Sequence, residues 1–432
     1  MKKMILKYLA LSLVTLSLDA KEIYTVDDLI IKSLKNSPDL AISQFEYDAS
    51  QSRYDTAFSG YLPTVDVRGS AGRVSQSATL NIDGVQDNII TGKLSLKQII
   101  YDFGKTGGNT DTQKFTSDSF SMQNLQNISN KTLEVKSAYY NILKAKALID
   151  VQKENVKLNE AQLYRSKKYF SAGIKTKIDV SDAKVSLIQA NIDLKTAEYN
   201  LKLSFSNLDK VVGFTAIKND YDVYSNELDL NSLYESLVIY QLNLYDSIVF
   251  AYENRFDIKK EQAKIKASQS DIRTVASEYY PSFYFSGNYL YQDAQSQELQ
   301  VFLPQTKWDA TLNLDWNIYQ GGSTASRKQE KSINSAISAS DLTNTKLIIK
   351  AKTTDAYINV NRTKDTVELA QSLVQVSHEK FDQASKRYEY GLADYIELQE
   401  ARQGYINSKA TLVVDYYDYY IAISTLDNAI GK

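Results

Sequence analysis

Two pairs of short segments alternate apolar and polar residues, one pair in each half of the chain. The first pair lies at 63–69 and 92–97, and the second lies at 283–291 and 312–316. Successive side chains of a β-strand point to opposite faces of a sheet, so each alternating segment predicts a strand. The apolar positions are Val65, Val67, Leu94, Leu96, Phe283, Phe285, Tyr289, Tyr291, Leu312, Leu314 and Trp316. The pattern predicts two β-hairpins, or four strands in all.

The other face of these strands is polar. It carries Asp66, Arg68, Lys93, Lys97, Asn313 and Asp315. Each run approaches the roughly 9 to 11 residues that cross a bilayer obliquely, and an apolar outer face with a wet inner face is typical of membrane strands. Soluble hairpins packed on helices are the alternative that the alternation leaves open. Since the smallest membrane barrels have about eight strands, four membrane strands require several subunits to share one barrel.

Long helices account for most of the remaining chain. No glycine or proline occurs between Gly108 and Gly173, and none occurs from Ser323 to Tyr390. At 1.5 Å per residue, roughly 60 helical residues extend about 90 Å, a length that favours coiled-coil packing. Gly173 and Gly391 are predicted to end the two longest helices as tight turns into further helices.

The helix after Gly173 carries an apolar seam. Its members are Ala183, Leu187, Ala190, Leu194, Ala197 and Leu201, spaced 4, 3, 4, 3 and 4. This 3.5-residue period favours a coiled coil, and one stripe of an ordinary globular core is the alternative. The helix after Gly391 is less regular, with Ala401, Tyr405, Ser408 and Leu412 at the matching positions.

Turn-forming residues repeat at one fixed offset. The pairs Gly69 and Gly287, Gly104 and Gly322, Gly173 and Gly391, Gly213 and Gly431, and Pro63 and Pro281 are each 218 residues apart. Because glycine and proline fix backbone geometry, their repetition indicates two structural repeats. We assign the first repeat to 21–219 and the second to 220–432, each with a helix, a β-hairpin and two long helices. The two form one intertwined protomer.

The first twenty residues have the pattern of an export signal. Met1, Lys2 and Lys3 are followed by a mainly apolar stretch and by Ala20 at a plausible cleavage position. We therefore predict a signal peptide at 1–20 and a mature chain that functions outside the inner membrane.

The composition excludes several kinds of chemistry. The chain has 432 residues, no cysteine, one histidine and a formal net charge of −2 at pH 7. Disulfides, thiolate metal sites and Cys/His nucleophiles therefore cannot form. A nearly neutral chain also has little electrostatic attraction to nucleic acid. We expect a protein that is not an enzyme, binds no nucleic acid and uses no cofactor or metal.

Several short segments, taken in order, resemble one known family. They are Asn36-Ser-Pro38, Tyr61-Leu-Pro63, Tyr280-Pro281, Ile100-Tyr-Asp-Phe-Gly104, Ile318-Tyr-Gln-Gly-Gly322, Gly173-Ile174 and Gly391-Leu392. Their order, spacing and duplication resemble the TolC family of outer membrane efflux and secretion channels, over almost the whole mature chain.

The resemblance implies a particular assembly. It implies a homotrimer with a twelve-stranded outer membrane β-barrel, four strands per subunit, continued by a long α-helical barrel in the periplasm. It also implies a passive exit duct of a tripartite efflux or type I secretion system. The expected partners are a periplasmic adaptor protein, an inner membrane transporter of RND, ABC or MFS type, and outer membrane lipids. Most of the chain is expected in the periplasm.

The same resemblance implies a gate at the periplasmic end. There the hairpin turns at Gly173 and Gly391 close the tunnel, and acidic side chains form rings around the entrance. By position after the glycines, Asp179 matches the acidic residue of the first hairpin, while Glu397 and Glu400 match those of the second. Tyr388 matches the tyrosine of the closing network.

The chain departs from this family pattern in three respects, one of which is that it has Glu at 397 and 400 where better-known members have Asp. Ala393 occupies the position where better-known members carry an arginine, and Asp182 is an additional acid at the position equivalent to Glu400. Lys175 and Lys177 are the candidates to supply the missing cation. The competing hypothesis is a periplasmic or surface coiled-coil protein with a structural or adhesive role, which would leave the two hairpins without a purpose.

Overall fold

The computed structural model describes residues 21–76, 85–216, 220–225, 233–295 and 305–432. The predicted signal peptide at 1–20 lies outside these residues. So do residues 77–84 and 296–304, which connect the two strands of each predicted hairpin.

The described chain is mainly helical, with four long strands and two short ones. In chain order the elements are β1 (Glu22–Tyr24), α1 (Val26–Asn36), α2 (Pro38–Phe58), β2 (Thr64–Gln76), β3 (Val85–Tyr101), α3 (Lys105–Ser171), α4 (Lys177–Val212), β4 (Tyr221–Val223), α5 (Leu244–Asn254), α6 (Phe256–Ala276), β5 (Ser282–Ala294), β6 (Thr306–Asp315), α7 (Ser323–Glu389) and α8 (Tyr395–Ile430). Helices α3 and α7 each have 67 residues, which corresponds to about 100 Å. The predicted uninterrupted helices are therefore present.

Element bounds in the two halves of the chain differ by the offset of the glycine pairs. Adding 218 to the bounds of α1, α2, α3 and α4 gives the bounds of α5, α6, α7 and α8. Strands β2 and β5 are related in the same way. The repeated glycines thus mark equivalent backbone positions.

Local signals explain where several helices begin and end. Thr25 forms a capping box with Asp28 at the start of α1, because each residue's side chain bonds the other's backbone N–H. Gly213 ends α4 in the left-handed conformation with φ of 83°, and its N–H donates to the Asp209 carbonyl oxygen. Gly431 has φ of 84° directly after α8. Glycine adopts this conformation without the steric cost that other residues meet.

The four long strands form one antiparallel sheet in the order β2-β3-β5-β6. Its register places Val67 opposite Leu94, Leu94 opposite Tyr289, and Tyr289 opposite Trp308. The other face carries mainly polar and charged residues, and one of its rows consists of Asp66, Ser95, Asn288 and Asp309. The register therefore produces the predicted division into one apolar face and one polar face.

Some predicted strand boundaries are wrong. Strand β2 extends to Gln76 and β3 begins at Val85, so both strands are longer than the alternating segments at 63–69 and 92–97 that predicted them. Polar residues on both faces hide this extension in the sequence, whereas the backbone ladder continues past the apolar band. Trp316 lies beyond the end of β6, and its indole N–H donates to the Tyr279 carbonyl oxygen at 3.2 Å.

The described chain divides into two compact units. One contains residues up to 37, 131–239 and 360–424. Its buried side chains include Leu29, Ile142, Leu208, Leu412 and Tyr419. It also contains a small parallel sheet of β1 and β4, which the alternation pattern did not predict.

The other unit contains residues 38–130, 240–359 and 425–432, and it includes the four-stranded sheet. Ile258, Ile349, Leu426 and Ile430 are fully buried in it. Arg255 is also buried there, and its guanidinium donates to the carbonyl oxygens of Asn428 and Ala429 near the end of α8. A cation at a helix C-terminus compensates the negative end of the helix dipole.

The predicted seam of α4 lies on its less exposed side, with Ala183 and Ala190 buried and the four intervening and following members half-buried. In α8, where the pattern was less regular, Ala401, Ser408 and Leu412 are all buried. The burial of α8 thus exceeds what its irregular pattern suggested. No helix among the described residues is both long and apolar enough to cross a membrane.

We predict that Gly213→Ala destabilises the protein by about 2 kcal/mol. The alanine backbone would have to adopt the left-handed conformation, and its methyl group would lie 2.7 Å from the Asn36 carbonyl oxygen. Gly404→Ala is the matched control, because Gly404 lies within α8 and has open space around it. Denaturant unfolding in detergent measures both variants. Equal stability of the two would contradict the assigned role of Gly213.

Candidate functional site: the two helical hairpins

The turns at Gly173 and Gly391 share one backbone geometry. Gly173 and Gly391 have φ of 74° and 75°. After the first turn the Ile174 N–H donates to the Tyr169 carbonyl oxygen at 2.9 Å, and after the second the Leu392 N–H donates to that of Arg387 at 2.8 Å. This six-residue closure is the Schellman motif, which satisfies the last carbonyl groups of a helix. Both glycines therefore form the predicted tight turns.

In the first hairpin, Asp179 caps its own helix. Its carboxylate accepts hydrogen bonds from the Thr176 backbone N–H at 2.9 Å and the Thr176 hydroxyl at 2.7 Å. Burial opposes ionisation of Asp179, but the bonds from Thr176 and the nearby Lys175 charge outweigh it, so its pKa is lowered. The ionised cap stabilises the hairpin above about pH 4 and is lost as the pH falls through the lowered value.

In the second hairpin, the capping and acidic roles fall on different residues. Asp394 accepts a hydrogen bond from the Glu397 backbone N–H at 2.8 Å and so caps α8. The Glu397 carboxylate is therefore available, and it pairs with the Arg387 guanidinium at 3.2 Å. Arg387 also donates to the Leu392 carbonyl oxygen at 3.3 Å, so this cation holds the turn together.

Asp182 and Glu400 differ from the other two acids. Both are exposed, and neither makes a hydrogen bond or ion pair within the described ranges of the chain. Their carboxylates are therefore the two predicted gate acids whose charge is not engaged inside the subunit.

Tyr388 lies in an apolar cluster that joins the two hairpins. The cluster contains Ala183, Tyr388, Tyr395 and Leu398, with Leu163, Tyr169, Phe381 and Ala393 packed around it. Tyr388 is only 2% exposed, and burial raises the pKa of its phenol, so the ring is neutral at physiological pH. The Lys175 ammonium lies 4.6 Å from the centroid of this ring, within the range of a cation–π contact.

Two polar contacts also join the hairpins. The Arg165 guanidinium on α3 and the Glu389 carboxylate on α7 lie 2.7 Å apart. The Tyr395 hydroxyl on α8 bonds the Ser186 hydroxyl on α4 at 3.0 Å. These bonds join α3 to α7 and α4 to α8, and the Lys175–Tyr388 contact adds a third link between the two hairpins.

The sequence identified only part of this network. Tyr388, Lys175 and the two glycines were named in advance, whereas Arg165, Arg387, Glu389 and Ser186 were missed. Each missed residue lies within thirteen residues of a turn glycine, but charged and hydroxyl residues are common on any solvated helix. Ala393 packs against the cluster instead of supplying a charge. Among the described residues, no three acidic or histidine side chains converge to hold a metal ion.

Comparison with known proteins identifies the family. The profile of the family described as "Outer membrane efflux protein" matches two segments, 29–214 and 248–432. The efflux pump outer membrane protein TtgC of Pseudomonas putida is 22% identical over 420 residues, covering 94% of this chain and 82% of TtgC. TolC of Escherichia coli is 20% identical over 410 residues, covering 92% of this chain and 80% of TolC.

Solved structures have the same fold. The CmeC outer membrane channel of Campylobacter jejuni superposes with a TM-score of 0.80 at 17% identity, covering 94% of this chain and 85% of CmeC. The outer membrane protein VceC of Vibrio cholerae gives 0.78 at 15% identity, with 94% and 96% covered.

The predicted resemblance and the predicted location in the outer membrane, with a large helical part in the periplasm, are thereby confirmed. The relatives are channel proteins, and they do not favour a coiled-coil adhesin. With its family profile matched in both halves and its fold shared over nearly its full length, the chain belongs to the family of outer membrane efflux proteins that includes TolC.

Proposed function

We propose that the chain is one subunit of a trimeric, passive exit duct, gated by its two helical hairpins. In this proposal three subunits supply a twelve-stranded barrel and a continuous helical tunnel. The observation that carries the proposal is the four-stranded sheet, which has one apolar face and one charged face. Among the described residues, no further strand pairs with its edges at β2 and β6.

The open edges and the two faces both require a partner. Backbone groups in lipid must be hydrogen-bonded within protein, so a sheet in a membrane has to close on itself. Pairing β2 of one subunit with β6 of the next would satisfy both edges in a closed ring. Val67, Trp308 and Leu312 are 80%, 74% and 69% exposed in the single chain, as residues that contact lipid would be.

Two of the long helices also expose rows of apolar side chains. On α4, Ile178, Val185, Ile192 and Tyr199 recur at every seventh position and are all exposed. On α7, Leu369, Leu373 and Val376 are exposed with a spacing of 4 and 3. A seven-residue apolar repeat is the pattern of a helix that packs against another helix. We infer that this second seam packs against a neighbouring subunit.

In the proposed gate, contacts inside each subunit hold the hairpins together, and Asp182 and Glu400 provide the free charge. Three copies of these two residues would place six carboxylates around a narrow opening, where they attract cations and repel anions. Asp179 and Glu397 contribute mainly to the local structure of their own turns.

The proposed partners follow from the same arrangement. A passive duct needs an energised pump, which we propose is an inner membrane transporter of RND, ABC or MFS type joined by a periplasmic adaptor. Relatives are named as antibiotic and toluene efflux pump proteins, and this favours efflux of small organic compounds over protein secretion. No catalytic step is part of the proposal. In a trimer, the two repeats of each subunit, 21–219 and 220–432, would supply six near-equivalent segments of one tunnel wall.

The first of three predictions from this proposal tests the contact between subunits. Replacing Val185, Ile192 and Tyr199 by glutamine should convert the detergent-stable trimer to monomers, because the second seam of α4 loses its apolar side chains. A control variant replaces Gln189, Lys195 and Lys202, which lie on the same helix, by alanine. Sedimentation in detergent gives the subunit number. A trimer that survives the three seam substitutions would contradict the assigned interface.

The second prediction tests the tie between the hairpins. Lys175→Met removes the charge above the Tyr388 ring but keeps a side chain of similar length. Since a cation–π contact contributes about 0.5–2 kcal/mol, the ratio of open to closed channels should rise by about 2- to 30-fold. The control is Lys177→Met, because Lys177 is exposed and two residues away. Equal opening of both variants in planar bilayers would reject the tie.

The third prediction tests the acidic entrance. The double variant Asp182→Asn, Glu400→Gln should raise the concentration of a multivalent cation that blocks conductance by about tenfold. Glu397→Gln should change the block much less, because Arg387 already compensates that carboxylate. An unchanged block in the double variant would show that these residues do not line the opening.

A further inference from the structure

Three cationic residues occupy one row across the polar face of the sheet. Arg68 on β2 is opposite Lys93 on β3, Lys93 is opposite Leu290 on β5, and Leu290 is opposite Lys307 on β6. Neighbouring strands lie about 4.8 Å apart, so the row extends about 14 Å across the sheet. The sequence separates these residues by up to 239 positions, and only the register brings them together.

The row opposes the stability of the sheet. Like charges directly opposite each other on adjacent strands are destabilising, and Arg68 and Lys93 form such a pair. All three cations are exposed, and none forms an ion pair with a carboxylate in the described part of the chain. Among the described residues of one subunit, their positive charge is therefore not engaged in an ion pair.

Carboxylates occur in the adjacent row of the same face but form no ion pair with the three cations among the described residues. The adjacent row contains Asp66, Ser95, Asn288 and Asp309. The Asp309 carboxylate accepts a hydrogen bond from the Asn288 amide at 2.9 Å, so it is held within its own row. A sheet that only needed solubility could have alternated the signs of these residues across the strands.

Lys97 provides an internal comparison. It lies on the same polar face of β3, four residues after Lys93. Its ammonium group lies 4.5 Å from the centroid of the Tyr284 ring, so its charge has a partner within the sheet. The three cations of the row have no such partner, which distinguishes the row from an ordinary polar surface.

We propose that Arg68, Lys93 and Lys307 form a binding site for small anions that carry phosphate or carboxylate groups. Arginine and lysine recognise these groups through charge-assisted hydrogen bonds, and two cations on adjacent strands can contact one anion together. The row lies on the face opposite the apolar residues, so the anion comes from the aqueous side and is not a lipid head group.

The site rests on the proposed duct and specifies the solutes that interact with it. With three subunits the proposed barrel would carry nine such cations, three from each sheet. A wall of this charge concentrates anions and slows cations where it faces the solution. Transported compounds with an anionic group would pause at this row, and compounds with only positive charge would not.

Single-channel recording with inorganic pyrophosphate as the probe tests the site. Purified wild-type protein, the triple variant Arg68→Gln, Lys93→Gln, Lys307→Gln, and the control Lys97→Gln are compared in planar bilayers. Pyrophosphate should reduce wild-type and Lys97→Gln conductance at similar concentrations. The triple variant should need about tenfold more, because three charge-assisted contacts are removed. Lys93→Gln alone, which removes the central charge, should need about threefold more.

The possible results distinguish a failure of the anion site from a failure of the proposed duct. Wild-type conductance with equal pyrophosphate sensitivity in the triple variant and in Lys93→Gln would overturn the anion site and leave the duct intact. The absence of wild-type conductance would contradict the duct, and the anion site with it. A merely structural row would lower the thermal stability of the trimer when replaced. We expect unchanged or higher stability, because like-charge repulsion is relieved.

Discussion

Backbone hydrogen bonding at the edges of the sheet is the constraint on which the other features depend. The register gives every interior strand two partners, whereas β2 and β6 each have one. Water can satisfy such edges, but lipid cannot. In the proposed barrel, a sheet with an apolar face suited to lipid is therefore incomplete as a single chain, and its completion would set the number of subunits. The charged face, including the row of Arg68, Lys93 and Lys307, would then form the inner wall.

The helical part also has surfaces that need a partner, but these surfaces are exposed apolar side chains and not open strand edges. Its buried seams, such as Ala183 and Ala190 on α4, join helices within the subunit. The exposed residues Ile178, Val185 and Ile192 on the same helix form a second seam. A helix with two seams can pack against neighbours on both sides, as the helices in the wall of the proposed tube would. The hairpins show both kinds of surface. Polar contacts join them inside the subunit, whereas the carboxylates of Asp182 and Glu400 have no partner among the described residues.

The sequence predicted the features that depend on backbone geometry and periodicity. Glycine and proline spacing located the long helices, both turns and the 218-residue repeat, since these residues impose local conformations. Strand ends were less predictable, because Gln76 and Val85 continue the ladder with little apolar alternation. The short β1–β4 pair was missed, since three residues per strand are too few to show a period.

Within the candidate site, single residues were predictable and their partners were not. Tyr388 and Lys175 were named separately, yet the sequence could not show that the ammonium lies above the ring. Asp179 and Glu397 occupy equivalent positions but serve differently, because Thr176 engages one carboxylate and Arg387 the other. Contacts between residues that are 209 or more positions apart depend on packing, which periodicity does not encode.

Cysteine cross-linking across the strand edges tests the shared barrel most directly, because the natural chain contains no cysteine. Val67→Cys on β2 would be combined in turn with cysteine substitutions at successive outward positions of β6, and the protein would be oxidised in native membranes. Disulfides form when Cα atoms lie about 4.4–6.8 Å apart. A closed ring of three subunits predicts a covalent species of three chains for at least one combination. Only monomeric products across all combinations would contradict the account.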